Sequence, residues 1–224
     1  MQLEPSLRQI IDDIAFNSSS KEITKSAETM SRRYRRLDEE GGKYHILSSK
    51  EAKAYVITRF LATFMAISRT LETLALADQE FSPTNILDIG AGPATATLAA
   101  LRNWTGVKEV TLIEPNQHLR TQGEALLSKM HPDIKAAWHG LRAQDTEAIH
   151  SNKYDLVIAG YVLNEILEEA GPEVMLQVVQ KMWEITGHSL VFVEPGTPFG
   201  QDVILRIREF LLEQGGNIVA PCPH

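Results

Sequence analysis

Gly90 and Gly92 follow the apolar run Asn85–Ile89 and precede an Ala/Thr/Leu segment of helical spacing that reaches Ala100. The order strand, tight turn, helix brings backbone amides to a ligand, and glycine tolerates the positive φ and the close approach such a turn demands. The pattern is incomplete as a dinucleotide fingerprint, because Thr95 stands where the third glycine belongs and Ala94 where a GxGxG version would place it. Asp88 lies two residues before the first glycine. A carboxylate there suits a ligand bearing an ammonium and a sulfonium, S-adenosylmethionine, and repels a pyrophosphate. Asp88, Gly90, Ala91 and Gly92 are the expected cofactor cradle.

Glu114 ends the second apolar run, 22 residues after Gly92, where a carboxylate can accept both ribose hydroxyls of an adenosine; Pro115 follows it. Its competing role is to cap the next helix. The run YDLVIAG leads into Gly160-Tyr161-Val162-Leu163-Asn164-Glu165, which puts small, aromatic, amide and acidic groups beside the first strand. Tyr161 and Asn164 are candidates for the methyl-acceptor pocket, with a helix start as the rival explanation of Asn164 and Glu165. Glu194 enters the rigid turn EPGTP, either to contact substrate or to cap the following helix. Asp145, after the third strand, is a candidate for the adenine edge. Methyl transfer from a sulfonium needs positioning and, for weak acceptors, proton removal, so no nucleophile is obligatory. No Asn/Asp-Pro-Pro-Tyr/Phe element is present, and the seven histidines lack metal-ligand spacing.

The elements that must hold these residues follow from periodicity. Leu3, Leu7, Ile10, Ile11 and Ile14 predict an amphipathic helix over 1–16, and a second helix is expected over about 21–38. Gly41-Gly42 breaks it, and Ser48 with Glu51 forms a capping box for a long helix to about Ala77 whose apolar stripe reads as core. Beyond residue 85, strands at 85–90, 109–114, 134–140, 154–160, 189–196 and 217–221 alternate with helices. Six apolar strands separated by helices predict an α/β, doubly wound, largely parallel sheet, with its ligand at the strands' carboxyl ends. The expected division is an N-terminal helical subdomain over 1–80 and a cofactor-binding domain over 81–224.

The 224 residues are 43% hydrophobic, ordinary for a globular chain. No apolar run is expected to span a membrane, and the polar, acidic amino terminus argues against a secretory signal, so the expected location is cytoplasmic. The net charge of −7 is unevenly spread. Residues 81–224 carry 10 Lys/Arg against 17 Asp/Glu, whereas 21–69 carry 11 against 6. Any nucleic-acid contact should begin in that basic segment, at Arg32, Arg33, Arg35 and Arg36 around Tyr34. The competing reading is a solvated face paired to Asp38, Glu39 and Glu40.

SRRY at 31–34, LDIGAGPATA at 87–96, TLIEPN at 111–116, YDLVIAGYVLNEI at 154–166, VEPGTPFG at 193–200 and APCPH at 220–224 together resemble one family. These are the Rsm-type, methyltransferase-like proteins associated with the small ribosomal subunit in bacteria and mitochondria, and the resemblance covers about residues 30–224. It implies a class I, Rossmann-like methyltransferase fold that binds S-adenosylmethionine. It further implies either methylation of small-subunit ribosomal RNA or help in subunit assembly and translation; a small-molecule methyltransferase is the remaining alternative. The family's loop commonly has glycine where this chain has Ala94. The resemblance also implies that Cys222 is one ligand of a metal or iron–sulfur site whose partners are absent here, so that site is expected to be incomplete and empty. The terminal hairpin of such sheets is expected to be missing, leaving a strand edge that could favour a homodimer.

Overall fold

The computed structural model describes residues 4–16, 18–19, 21–30, 46–145 and 153–220. Helix α1 spans Pro5–Phe16 and α2 covers 21–30; α3 spans Ser49–Thr58 and α4 Phe60–Ala77. Then come β1 (Asn85–Ile89), α5 (Thr95–Asn103), β2 (Glu109–Ile113), α6 (Gln117–Met130) and β3 (Lys135–His139). The chain continues through β4 (Tyr154–Gly160), α7 (Leu163–Ile185), β5 (Thr186–Val193) and α8 (Pro198–Glu213).

The five strands form one parallel sheet in the order β3-β2-β1-β4-β5. The order reverses between β1 and β4, where α/β sheets open a crevice at the strands' carboxyl ends. The central strands are apolar along their length because helices cover both faces, and Ile86, Leu87 and Ile89 of β1 are all buried. One face packs against α5, whose Ala99 and Ala100 are fully buried; these small residues let Phe60, Phe64, Ile67 and Leu71 of α4 press onto the same cluster. The helical N-terminal segment therefore shares a core with the sheet. The opposite face is covered by α7 and α8 through Met175, Val179, Met182, Val203 and Ile207. Strand β3, at one border, exposes Lys135, Ala136 and Ala137.

Several expectations are revised. The long helix after Ser48 divides at Arg59 (φ −120°, ψ −32°), next to the β-branched run Val56-Ile57-Thr58. The Thr58 hydroxyl bonds back to the Ala54 carbonyl at 2.6 Å, a contact that bends helices. Ser48 does cap α3 as expected, accepting from the Glu51 N–H. Helix α7 begins at Leu163, directly after the 154–160 strand; Gly171 (φ 84°) breaks it, and Pro172 opens its second half. Thr197 caps α8 by accepting from the Gly200 N–H, with Pro198 in the first turn. The sixth strand is not formed over 217–220: Gly215 (φ 82°) turns the chain after α8, and the Gly216 N–H closes on the Leu211 carbonyl. Five strands are thus found, and β5 borders the sheet among the described residues. By length and composition α4 is apolar enough to cross a membrane, contrary to the expectation that no segment is. Its buried stripe of Phe60, Phe64, Ile67, Leu71 and Leu74 packs into the core.

Candidate functional site

The β1–α5 turn is built from three left-handed residues, Gly90 (φ 71°), Gly92 (φ 54°) and Ala94 (φ 63°). A Cβ on Gly90 would stand 2.6 Å from the Val162 Cβ, so this glycine is required both by backbone and by its neighbour at the start of α7. A Cβ on Gly92 meets nothing within 4 Å; that face is open. The Gly90 and Ala91 N–H groups donate to the Ile113 carbonyl, binding the turn to the end of β2.

Asp88 is 1% exposed. Its Oδ2 accepts from the Thr97 N–H (2.9 Å) and the Thr97 hydroxyl (2.7 Å), so it fixes the first turn of α5. Its Oδ1 is buried without a partner among the described residues. Burial pushes the carboxyl up to about 6, against the two Thr97 hydrogen bonds, which favour the charged form.

Glu114 is also buried, and both oxygens are engaged: Oε2 by the Gly92 N–H at 2.9 Å and Oε1 by the Asn116 N–H at 2.7 Å. Burial raises its pKa, opposed by those two N–H bonds and by the Arg120 charge. The Glu114 carboxylate thus clips the glycine turn to the start of α6, which Asn116 caps by accepting from the His118 and Leu119 N–H groups.

On the other side of the crevice, Glu194 leaves β5 and reaches the start of α7, accepting the Leu163 N–H on Oε1 at 2.8 Å. It caps α7 and not the helix that follows it. Its Oε2 and the Asn164 Oδ1 are buried and unpartnered among the described residues. Burial pushes Glu194 up to about 7, in spite of the α7 amides that favour its charge. Tyr161 adopts φ 61° and donates its N–H to the Val193 carbonyl at 2.7 Å; burial and then the Glu194 charge raise its phenol. Glu165 keeps its side chain in contact with solvent; packing of surrounding atoms, then repulsion from Glu114 and Glu194, raises its carboxyl.

Of the expected site residues, Gly90, Ala91, Gly92, Gly160 and Tyr161 line one cavity; Glu114 and Asp88 brace its glycine turn and the helix after it, and Asn164 and Glu194 lie at the adjoining start of α7. Pro115 is exposed beside it, its carbonyl taken by Arg120. Asp145 is exposed on a short turn beyond β3. Arg32, Arg33, Arg35, Arg36 and Cys222 lie outside the described residues. Among the described residues no group of three or more His, Cys, Asp or Glu is placed to hold a metal ion.

The crevice narrows to a cavity of about 30 Å³ lined by Gly90, Gly92, Gly160 and Tyr161 on the sheet side and by Tyr55, Thr63 and Ile67 of α3 and α4 on the other. Tyr55, Thr63 and Thr97 escaped the sequence reading. Thr97 carried a signal, a hydroxyl in the first turn of the helix that Asp88 precedes. Tyr55 and Thr63 carried none, since α3 and α4 read as core helices with no cue to which face meets the glycine turn.

The parallel sheet, its reversed order and the acid-flanked glycine turn define a methyltransferase-type α/β domain. The plantazolicin methyltransferase BpumL, solved with SAH, matches 94% of this chain and 80% of its own at a TM-score of 0.54 and 10% identity, a likeness of fold. The family described as "Mitochondrial small ribosomal subunit Rsm22" matches residues 49–224, and the chain belongs to that family. The human "Ribosome assembly protein METTL17, mitochondrial" is 26% identical over 181 residues, covering 76% of this chain and 39% of that protein. The "Rsm22-cox11 tandem protein 2, mitochondrial" of Schizosaccharomyces pombe is 26% identical over 200 residues, 80% of this chain and 25% of that protein. The chain thus spans well under half the length of these relatives. The cytoplasmic location expected from the polar amino terminus is corrected by them: the family and both relatives are described as mitochondrial, which points away from the cytoplasm.

Proposed function

We propose that this chain binds S-adenosylmethionine at the β1–α5 turn and methylates ribosomal RNA during assembly of the small ribosomal subunit. The observation that carries the reading is the pairing of a buried, half-satisfied Asp88 with an open Gly92 face at the point where the strand order reverses. The residues fit the cofactor chemically: Asp88 Oδ1 has no donor among the described residues, and an acidic crevice favours an ammonium and a sulfonium over a phosphate. Asp88, Gly90 and Gly92 would hold the methionine end and Glu114 the ribose hydroxyls. When bound, the cofactor supplies an activated methyl group. Tyr161, Asn164 and Glu194 would position the acceptor, and Glu194, poised near neutrality, would take its proton. Isothermal titration with S-adenosylmethionine tests the reading; a folded protein that releases no binding heat at millimolar ligand would sink it.

A second reading, an assembly protein that keeps the fold without turnover, is favoured by a different observation. The cavity of about 30 Å³ is an order of magnitude below the roughly 300 Å³ at which ligand pockets begin. Both Glu114 oxygens are already engaged by backbone. This reading expects co-sedimentation with small subunits that survives Asp88→Ala and Glu114→Ala; loss of co-sedimentation in those variants rejects it.

A further inference from the structure

Building on the cofactor reading, we infer that the rim formed by Tyr161, Asn164 and Glu194 recognises the exocyclic amino group of an unpaired nucleobase. Asn164 Oδ1 and Glu194 Oε2 are both acceptors, both buried, and both left without a donor among the described residues. Glu194 cannot swing away to satisfy itself, because its other oxygen is held by the Leu163 N–H at 2.8 Å. Buried acceptors left dry are costly, and an –NH2 group brings two N–H donors to them. A base edge bearing a carbonyl, or a phosphate, would set acceptor against acceptor.

The surroundings select a planar, uncharged carrier for that amine. Tyr161 lines the cavity with its side chain partly buried against the core, its backbone held in a left-handed conformation by the N–H bond to the Val193 carbonyl, and supplies an aromatic ring of the kind bases stack on. Glu114 and Glu194 already disfavour charge on Glu165, and the same crowding of carboxyl groups disfavours a phosphate, so a nucleotide's phosphate stays outside while its base enters. The phosphates then face the helical side, where Tyr55 and Thr63 of α3 and α4 form the opposite wall.

The test measures binding of fluorescein-labelled single-stranded hexamers of cytidine and of uridine to the full chain at neutral pH and low salt, by anisotropy. The two differ along one ring edge: cytosine carries an amino group with two donors beside an acceptor N3, uracil a carbonyl beside a single N3–H donor. Hexacytidylate is expected to bind about tenfold more tightly, the low end of what one well-made base-edge contact discriminates. Glu194→Gln combined with Asn164→Leu should erase the preference; Asn164→Asp, which presents an acceptor whichever way the group turns, should keep it. If the double variant does not fold, Asn164→Leu alone must weaken the preference. Equal affinities, a preference for uridine, no binding of either hexamer, or tighter binding of a lysine hexapeptide would each overturn the inference. S-adenosylmethionine is titrated into the same preparations. Cofactor binding without base preference overturns only this inference, and base preference without cofactor binding overturns only the cofactor reading.

Discussion

Asp88 and Glu194 each leave the end of a strand and tie down the first turn of a helix, each using one oxygen and leaving the other buried and without a partner among the described residues. Asp88 acts within its own β1–α5 unit, nine residues from Thr97, at the bottom of the crevice. Glu194 acts across units, from β5 to α7, over a separation of 31 residues and at the half-buried rim. The two clamps meet where Gly90 packs on Val162. The inner clamp serves the turn that would hold a cofactor, while the outer one fixes a surface that a second molecule would touch.

The junction should give the largest effect. Gly90→Ala must place a Cβ 2.6 Å from the Val162 Cβ on a backbone at φ 71°, and is expected to cost about 3 kcal/mol or more from strain plus overpacking. Gly92→Ala faces open space at φ 54°, so it should cost about 1 kcal/mol, from strain alone. Urea unfolding of both variants separates them; equal losses would mean the two clamps do not touch as described.

Titration distinguishes the clamps next. Asp88 is pushed up to about 6 from 3.8, so the folded chain holds this proton more tightly than the unfolded chain does. Its contribution to stability is complete below about pH 4 and declines as the pH rises through about 6. Asp88→Asn should remove that decline, about 3 kcal/mol between pH 4 and 7 from a shift of this size. Glu194, pushed up to about 7 from 4.5, has the same sign, and Glu194→Gln should flatten the part of the curve that extends to higher pH. Unfolding curves at pH 4.5, 6 and 7.5 read both, and unchanged slopes would remove the burial argument.

The smallest effect is expected at Ala94, fully buried with φ 63° in the position that ends the turn. Ala94→Gly relieves a left-handed alanine at some entropic cost, for a net gain of up to about 1 kcal/mol in thermal unfolding. A destabilised Ala94→Gly would show that the alanine methyl's packing outweighs its strain.

Much of the inner clamp was legible in the chain. NILDIGAGPATATLAA announces strand, turn and helix because apolar periodicity and glycine spacing are local properties, and the strand 154–160 matches β4 residue for residue. The outer clamp was visible only as an ambiguity: Glu194 was recognised as an acid at the rim, but which helix it capped depended on β5 lying beside β4, a pairing with no local signature. The expected sixth strand failed for the complementary reason. NIVAP has the composition of a strand, but a strand exists only by pairing, and the Gly215-Gly216 turn closes back on α8.

The sequence by itself determined the alternation of elements, the glycine turn and the acids that flank it, since these follow from side-chain chemistry and spacing along a few residues. Tertiary structure alone decided that α3 and α4 wall the crevice with Tyr55 and Thr63, that Glu114 clips the turn shut, and that Glu194 and Asn164 each keep a buried acceptor without a partner among the described residues. Those facts depend on which buried polar atoms packing leaves unsatisfied, and packing brings together residues too far apart in the chain for any local pattern to record.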